Sequence, residues 1–136
     1  MSRIRLFVAL LVLVPAFAHA ADLKITDTSG AQVIVKNASL DYPAALGAAT
    51  RVSDGIRVLQ GDGSATVKWK DMQSLIVRDA DDRSQPSRLE VDVQLRNGRH
   101  VSATLQRPAD VKLRGKTELG EYAIELDKVR TIEPLR

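Results

Sequence analysis

Residues 91–105 read Val-Asp-Val-Gln-Leu-Arg-Asn-Gly-Arg-His-Val-Ser-Ala-Thr-Leu. Apolar and polar side chains alternate on both sides of Asn97-Gly98, and strand side chains point to opposite faces with a period of two. A hairpin gathers these apolar groups on one face, whereas a helix would scatter them. If Gly98 takes the left-handed position of a three-residue loop, Val93 faces Val101 and Val91 faces Ala103. A two-residue Asn-Gly turn would oppose Val93 to Ser102 and mix the faces, so the longer loop is expected.

The same grammar recurs along the chain. Leu23-Lys24-Ile25 and Val33-Ile34-Val35 flank Ser29-Gly30, which sets Ile25 opposite Val33 and Leu23 opposite Val35. A third hairpin is expected from Ile56 to Trp69 around Asp62-Gly63, opposing Val58 to Val67 and Ile56 to Trp69. A fourth runs from Val111 to Leu126 through Glu118-Leu119-Gly120. Its turn type stays open, because leucine is a poor residue at positive φ. Helix signals are thin: Asp41 is expected to cap a short turn entered through Pro43 and covering Ala44, Ala45 and Leu46.

The first twenty residues obey different rules. Arg3 and Arg5 precede an apolar run from Leu6 to Val14, then Pro15 and the small-residue site Ala18-His19-Ala20. This order is that of a secretory signal cleaved after Ala20. The apolar run is too short for a spanning helix, which needs roughly 17–25 residues. The whole chain holds 20 Lys+Arg and 17 Asp+Glu. Removing Arg3 and Arg5 leaves 18 basic and 17 acidic groups, a net charge of +1 rather than +3. That balance excludes a globally basic nucleic-acid binder. The chain has no cysteine, which excludes disulfides, zinc-thiolate sites and thiol nucleophiles.

Residues 55–77 laid over 112–134 keep a constant spacing of 57: Gly63 meets Gly120, Val67 meets Ile124, Trp69 meets Leu126, Met72 meets Val129 and Leu75 meets Ile132. The opening hairpins match at a spacing of 68, Gly30 with Gly98 and Val33 with Val101. The difference is absorbed by an extra stretch around Tyr42 to Asp54. Each half therefore reads as two hairpins, a tight turn (Lys70-Asp71-Met72 and Asp127-Lys128-Val129) and a closing strand. The run Gly63-Ser-Ala-Thr-Val-Lys-Trp69-Lys-Asp-Met72-Gln-Ser-Leu75 resembles the SH3-like or Sm-like small-barrel unit of uncharacterised secreted bacterial proteins. The resemblance implies an all-β fold and no particular activity.

The expected organisation is a signal at 1–20, a first half at 21–78, a linker at 79–88 and a second half at 89–136. A core below about 70–80 residues rarely supplies more than roughly 3–5 kcal/mol. Neither half has a disulfide, and only Trp69, Tyr42 and Tyr122 remain as aromatics once the signal is gone. The halves are therefore expected to pack together or to share strands in one pseudo-symmetric barrel.

Reactive constellations are sparse. His100 and Ser102 lie two apart on one strand, about 6.5–7 Å by strand rise, beyond the ≈ 2.6–3.2 Å of a base–nucleophile pair. Glu90 and Asp92 share a strand face at a spacing near that of inverting glycosidases, roughly 6.5–9.5 Å, though alternating charge on a wet face explains them as well. Asp79-Ala80-Asp81-Asp82 lacks the calcium-loop pattern. Gly61-Asp62-Gly63 lacks the further glycine and lysine of phosphate loops. No cofactor or metal is expected.

One charge feature stands out. Arg96, Arg99, Arg107, Lys112, Arg114 and Lys116 face a single acid, Asp110, between residues 96 and 116. Lys112, Arg114 and Lys116 should share the outer face of one strand. Trp69 reads as core, since its counterpart is Leu126. Tyr42 and Leu46, in the unmatched stretch, read as exposed contacts. The expected role is an exported, periplasmic, non-catalytic binding or assembly module of the bacterial cell envelope. It would meet an envelope protein or a cell-wall polymer, with no nucleic acid and no membrane span. The alternatives are a small cell-wall hydrolase using Glu90, Asp92 or His100, and a binder of anionic polymer through the 96–116 hairpins.

Overall fold

The computed structural model describes residues 21–44, 50–78 and 87–135. The signal segment 1–20, Leu46 and the acidic Asp79–Asp82 cluster lie outside the described residues. Among the described residues no helix is long and apolar enough to cross a membrane.

The chain is all-β. A first hairpin joins β1 (Leu23–Asp27) and β2 (Gln32–Tyr42). After β3 (Thr50–Val52), a second hairpin joins β4 (Gly55–Gln60) and β5 (Gly63–Lys68), and a 3-10 turn at Trp69–Asp71 leads into β6 (Met72–Val77). The next hairpin is β7 (Arg88–Leu95) and β8 (His100–Gln106). A 3-10 turn at Pro108–Asp110 precedes β9 (Lys112–Thr117) and β10 (Gly120–Glu125). A last 3-10 turn, Leu126–Lys128, precedes β11 (Val129–Pro134).

These eleven strands form one curled antiparallel sheet in the order β10-β9-β2-β1-β11-β6-β7-β8-β4-β5, with β3 added to β2. The order divides into two five-stranded arms that meet at the β11–β6 pair. The first arm combines the chain's opening hairpin with its closing strands. The second arm, β4 to β8, is continuous in sequence. Strands from the two sequence halves thus interleave: β1 pairs β11, β6 pairs β7, β2 pairs β9 and β4 pairs β8.

The arms correspond pairing by pairing. At the spacings of 68 and 57, Ile25–Val33 corresponds to Val93–Val101, and Val58–Ala65 to Gly115–Tyr122. Leu75–Val93 corresponds to Ile25–Ile132, and Leu59–Thr104 to Lys36–Lys116. Backbone bonds outside the ladders follow suit. Trp69 N–H donates to the Asp54 carbonyl at 2.9 Å, and Leu126 N–H to the Val111 carbonyl at 3.0 Å. Arg96 N–H reaches the Asp71 carbonyl at 3.0 Å, and Thr28 N–H the Lys128 carbonyl at 2.9 Å.

The inward positions of both arms supply one core. Leu23, Ile25, Leu40, Ile56, Leu75 and Leu113 are fully buried in it, as are Trp69 and Leu126 in the matched 3-10 turns to within 2 %. The Trp69 indole N–H donates to the Ser53 carbonyl at 3.2 Å, which satisfies its polar edge in the interior.

The hairpin registers follow the apolar pattern, with one correction. Val93 pairs Val101 and Gly98 has φ 91°; Ile25 pairs Val33 and Leu23 pairs Val35. In the β4–β5 hairpin, however, the turn is Gly61-Asp62 rather than Asp62-Gly63, so Val58 faces Ala65 and Ile56 faces Val67. The positive φ falls on Gly61, and Trp69 is drawn out of the ladder into its 3-10 turn. Asp41 lies within β2, and the turn expected after it lies beyond Ala44 outside the described residues. Arg88, placed at the end of the linker, opens β7. The β9–β10 turn puts the positive φ on Gly120, leaving Leu119 almost wholly exposed at the tip.

Candidate functional site

β9 is flanked on both edges, by β2 and by β10. Its sequence Lys-Leu-Arg-Gly-Lys-Thr buries Leu113 and turns Lys112, Arg114 and Lys116 outward, all three exposed. This is the shared face expected from alternation. Gly115 lies on the inner face, where a side chain would meet the Val35 Cγ1 methyl and come within 2.7 Å of the Lys36 carbonyl oxygen. Glycine here lets β9 close onto β2 at its bulge, where Asn37 adopts φ 54°.

Each cation of β9 has defined neighbours. Lys112 stands between Asp41 of β2 and Glu125 of β10. Arg114 stands between Ser39 and Ala123, and its Nε donates to Asp41 Oδ2 at 2.6 Å. Arg51 of β3 donates from Nε to Asp41 Oδ1 at 2.7 Å. The Arg51 bond, with Arg114 adding to it against partial desolvation, holds the Asp41 carboxyl below its ordinary range. Lys116 stands between Glu121 and Lys36. The Lys36–Lys116 pair places like charges directly opposite each other, an arrangement that disfavours the strand pair. Around them a hollow of about 510 Å³ is lined by Ser39, Asp41, Arg51, Arg114, Lys116 and Tyr122, among others.

The other expected cations lie elsewhere. Arg96 and Arg99 sit on the β7–β8 turn, with β2, β1, β11 and β6 between β7 and β9 in the sheet. Arg96 Nε donates to the Lys70 carbonyl at 3.0 Å, and Arg99 N–H to Asn97 Oδ1 at 2.9 Å. Arg107 has a left-handed backbone, φ 47°, and pairs with Asp110 at 2.6 Å. The six cations therefore form three groups. The β9 group adjoins two further cations, Lys36 and Arg51. Sequence reading missed these two because β2 and β3 are remote from 96–116 along the chain.

Tyr42 corrects an expectation. It is 6 % exposed and belongs to the core. Its hydroxyl accepts the Arg57 backbone N–H at 2.9 Å, and the Arg57 guanidinium lies 4.7 Å from the ring centroid. Burial pushes the phenol up to about 12. The end of β2 thus points its ring inward, with the one polar atom satisfied.

The candidate reactive groups are engaged with one another on wet strand faces. Arg78 donates to Glu90 Oε1 at 2.7 Å and lies 3.5 Å from Asp92 Oδ1. Its guanidinium thus binds both carboxylates, the pair that an inverting hydrolase would leave open for water. Ser102 Oγ donates to Asp92 Oδ1 at 3.3 Å, not to His100, which is exposed. Among the described residues no three His, Asp or Glu side chains converge as a metal site.

No protein-family model matches this chain, and a search of curated proteins finds no match.

Proposed function

We propose that this protein is an exported, non-catalytic binding or assembly module of the bacterial cell envelope. In this reading the 1–20 signal delivers it to the periplasm, and the two arms descend from one duplicated SH3-like small-barrel unit. The pairing-by-pairing correspondence of the arms supports the duplication. The partner is an anionic cell-wall polymer, held by the outer face of β9 and its neighbours.

The observation that carries the reading is the Lys36–Lys116 pair. Like charges in register do nothing for the fold, and the equivalent positions in the second arm are Leu59 and Thr104, which carry no charge. A polyanion crossing the hollow would meet Lys116, Arg51 and Arg114 there, and Lys36 at the position opposite Lys116 on β2. The ion-paired state of Glu90 and Asp92 speaks for binding over hydrolysis.

Retention on isolated envelope tests this. Screening lengths fall from about 10 Å at 0.1 M salt to about 3 Å at 1 M, so retention should drop steeply over that range. It should also be lost in a Lys36→Glu, Lys116→Glu double variant. Salt-insensitive retention, or retention unchanged in that variant, rejects the electrostatic site.

A further inference from the structure

The two arms match in pairing but not in side-chain size, and the mismatch leaves an apolar hollow. In the first arm Tyr122 stands opposite Gly115 and packs half-buried against the core. Burial and the neighbouring Asp27 carboxylate push its phenol up. The equivalent pair in the second arm is Ala65 opposite Val58. Where one arm has a phenol ring, the other has a methyl group. The resulting space, about 170 Å³, is lined by Val58, Ala65, Val67, Val93 and Leu95, among others, and Gln60 is its polar member. An apolar cavity of about 150 Å³ takes up benzene, so this volume suits one aromatic or branched aliphatic side chain.

The surroundings carry a definite charge. A neighbouring depression shares Val67 and Leu95 with this hollow, and is lined by Lys68, Lys70 and Arg96 against one carboxylate, Asp71. None of these three cations forms an ion pair among the described residues. The equivalents of Lys68 and Lys70 in the first arm are Glu125 and Asp127, so the positive rim belongs to the arm with the open hollow. β5 also ends the strand order and pairs no further strand among the described residues, so its outer edge can accept the main chain of an extended segment.

We propose that the open end of the second arm binds an acidic polypeptide segment. One aromatic or branched aliphatic side chain enters the space beside Ala65, and a neighbouring carboxylate meets Lys68, Lys70 and Arg96. The proposal rests on the reading of the protein as a binding module and adds a protein-recognising site that shares no lining residue with the hollow at β9.

The test titrates the chain, as the cell produces it, with two synthetic peptides while backbone amide shifts are followed by NMR. One is acetyl-Asp-Glu-Phe-Asp-Glu-amide; the other replaces each acid by lysine. The acidic peptide should shift the amides of Ala65, Val67, Leu95 and Arg96 saturably. The lysine peptide should bind more weakly by at least about two- to fivefold, the worth of one exposed ion pair. Ala65→Tyr, which gives the second arm the ring of the first, should abolish binding. If that variant does not fold, Lys68→Glu, a change at an exposed position, should still reduce affinity for the acidic peptide. Equal binding of both peptides, shifts confined to other residues, or binding unaffected by these variants overturns the proposal. Loss of envelope retention in the β9 variants has no bearing on this outcome, so the two sites fail separately.

Discussion

Leu75 and Ile132 face each other across β6 and β11, and each is the other's counterpart at the spacing of 57. The pseudo-two-fold relation between the arms passes through this buried pair. Everything on one side of it is completed by strands from the other half of the sequence.

This interleaving decides which fragments fold. A 21–78 piece holds β1 to β6 but lacks β11, β7, β8 and β9, so most of its strands lose a neighbour. A 55–106 piece retains the whole second arm in its native order, and within the sheet only the β6 edge is newly bare. Circular dichroism melts should be cooperative, though less stable than the full chain, for 55–106, and featureless for 21–78. A cooperative monomeric melt of 21–78 would falsify the strand exchange as a requirement for folding.

Gly115→Ala drives a methyl group into Val35 and the Lys36 carbonyl beside the bulge of β2. Overpacking of this kind costs typically about 1–3 kcal/mol. Urea unfolding should show a lowered midpoint. The same substitution at Gly63, where a Cβ comes no closer than 3.8 Å to another atom, should be much milder.

Tyr42 links stability to alkaline pH. Its folded pKa is raised by burial from 10 to about 12, so its neutral form is favoured in the folded state. The associated stability is fully present below pH 10 and is lost as pH rises through about 12. A rise of this size corresponds to roughly 2–3 kcal/mol. Tyr42→Phe removes this dependence, and it also leaves the Arg57 N–H without its acceptor, at about 1–3 kcal/mol. Stability measured from about pH 9 to 12 should therefore fall less steeply in the variant, from a lower starting value. Parallel slopes would contradict the buried phenol.

Asp41 neutralises Arg51 and Arg114 at the centre of the β9 face. Asp41→Asn should release both cations, so envelope retention should strengthen at low salt while thermal stability falls slightly. Weaker retention would mean that Asp41 itself orients the binding groups.

Much of this architecture was legible in the sequence, and the reason is local. Alternation in 91–105 and around Ser29-Gly30 settles which face each strand buries, and Gly98 and Gly30 settle the registers. Gly61 and Gly63 compete for one turn, and there the expected turn lies one residue too late, which shifts the strand register by two. The Lys112–Lys116 face followed from alternation alone. Lys36 and Arg51 did not, because alternation says which face a side chain takes but not which strand lies at the next edge. Tyr42 misled because it stands in the stretch without a counterpart in the second half, where an exposed contact was expected, whereas a backbone N–H from β4 satisfies its hydroxyl inside the core.

The interlaced order of the strands also bears on origin. On the duplication proposed above, a half-length ancestor would have needed a sister molecule to pair most of its strand edges. On the same duplication, joining two copies end to end would replace a concentration-dependent encounter with closure inside one molecule. On that proposal the joined copies would no longer have had to remain alike, and one arm now carries Tyr122 where the other carries Ala65.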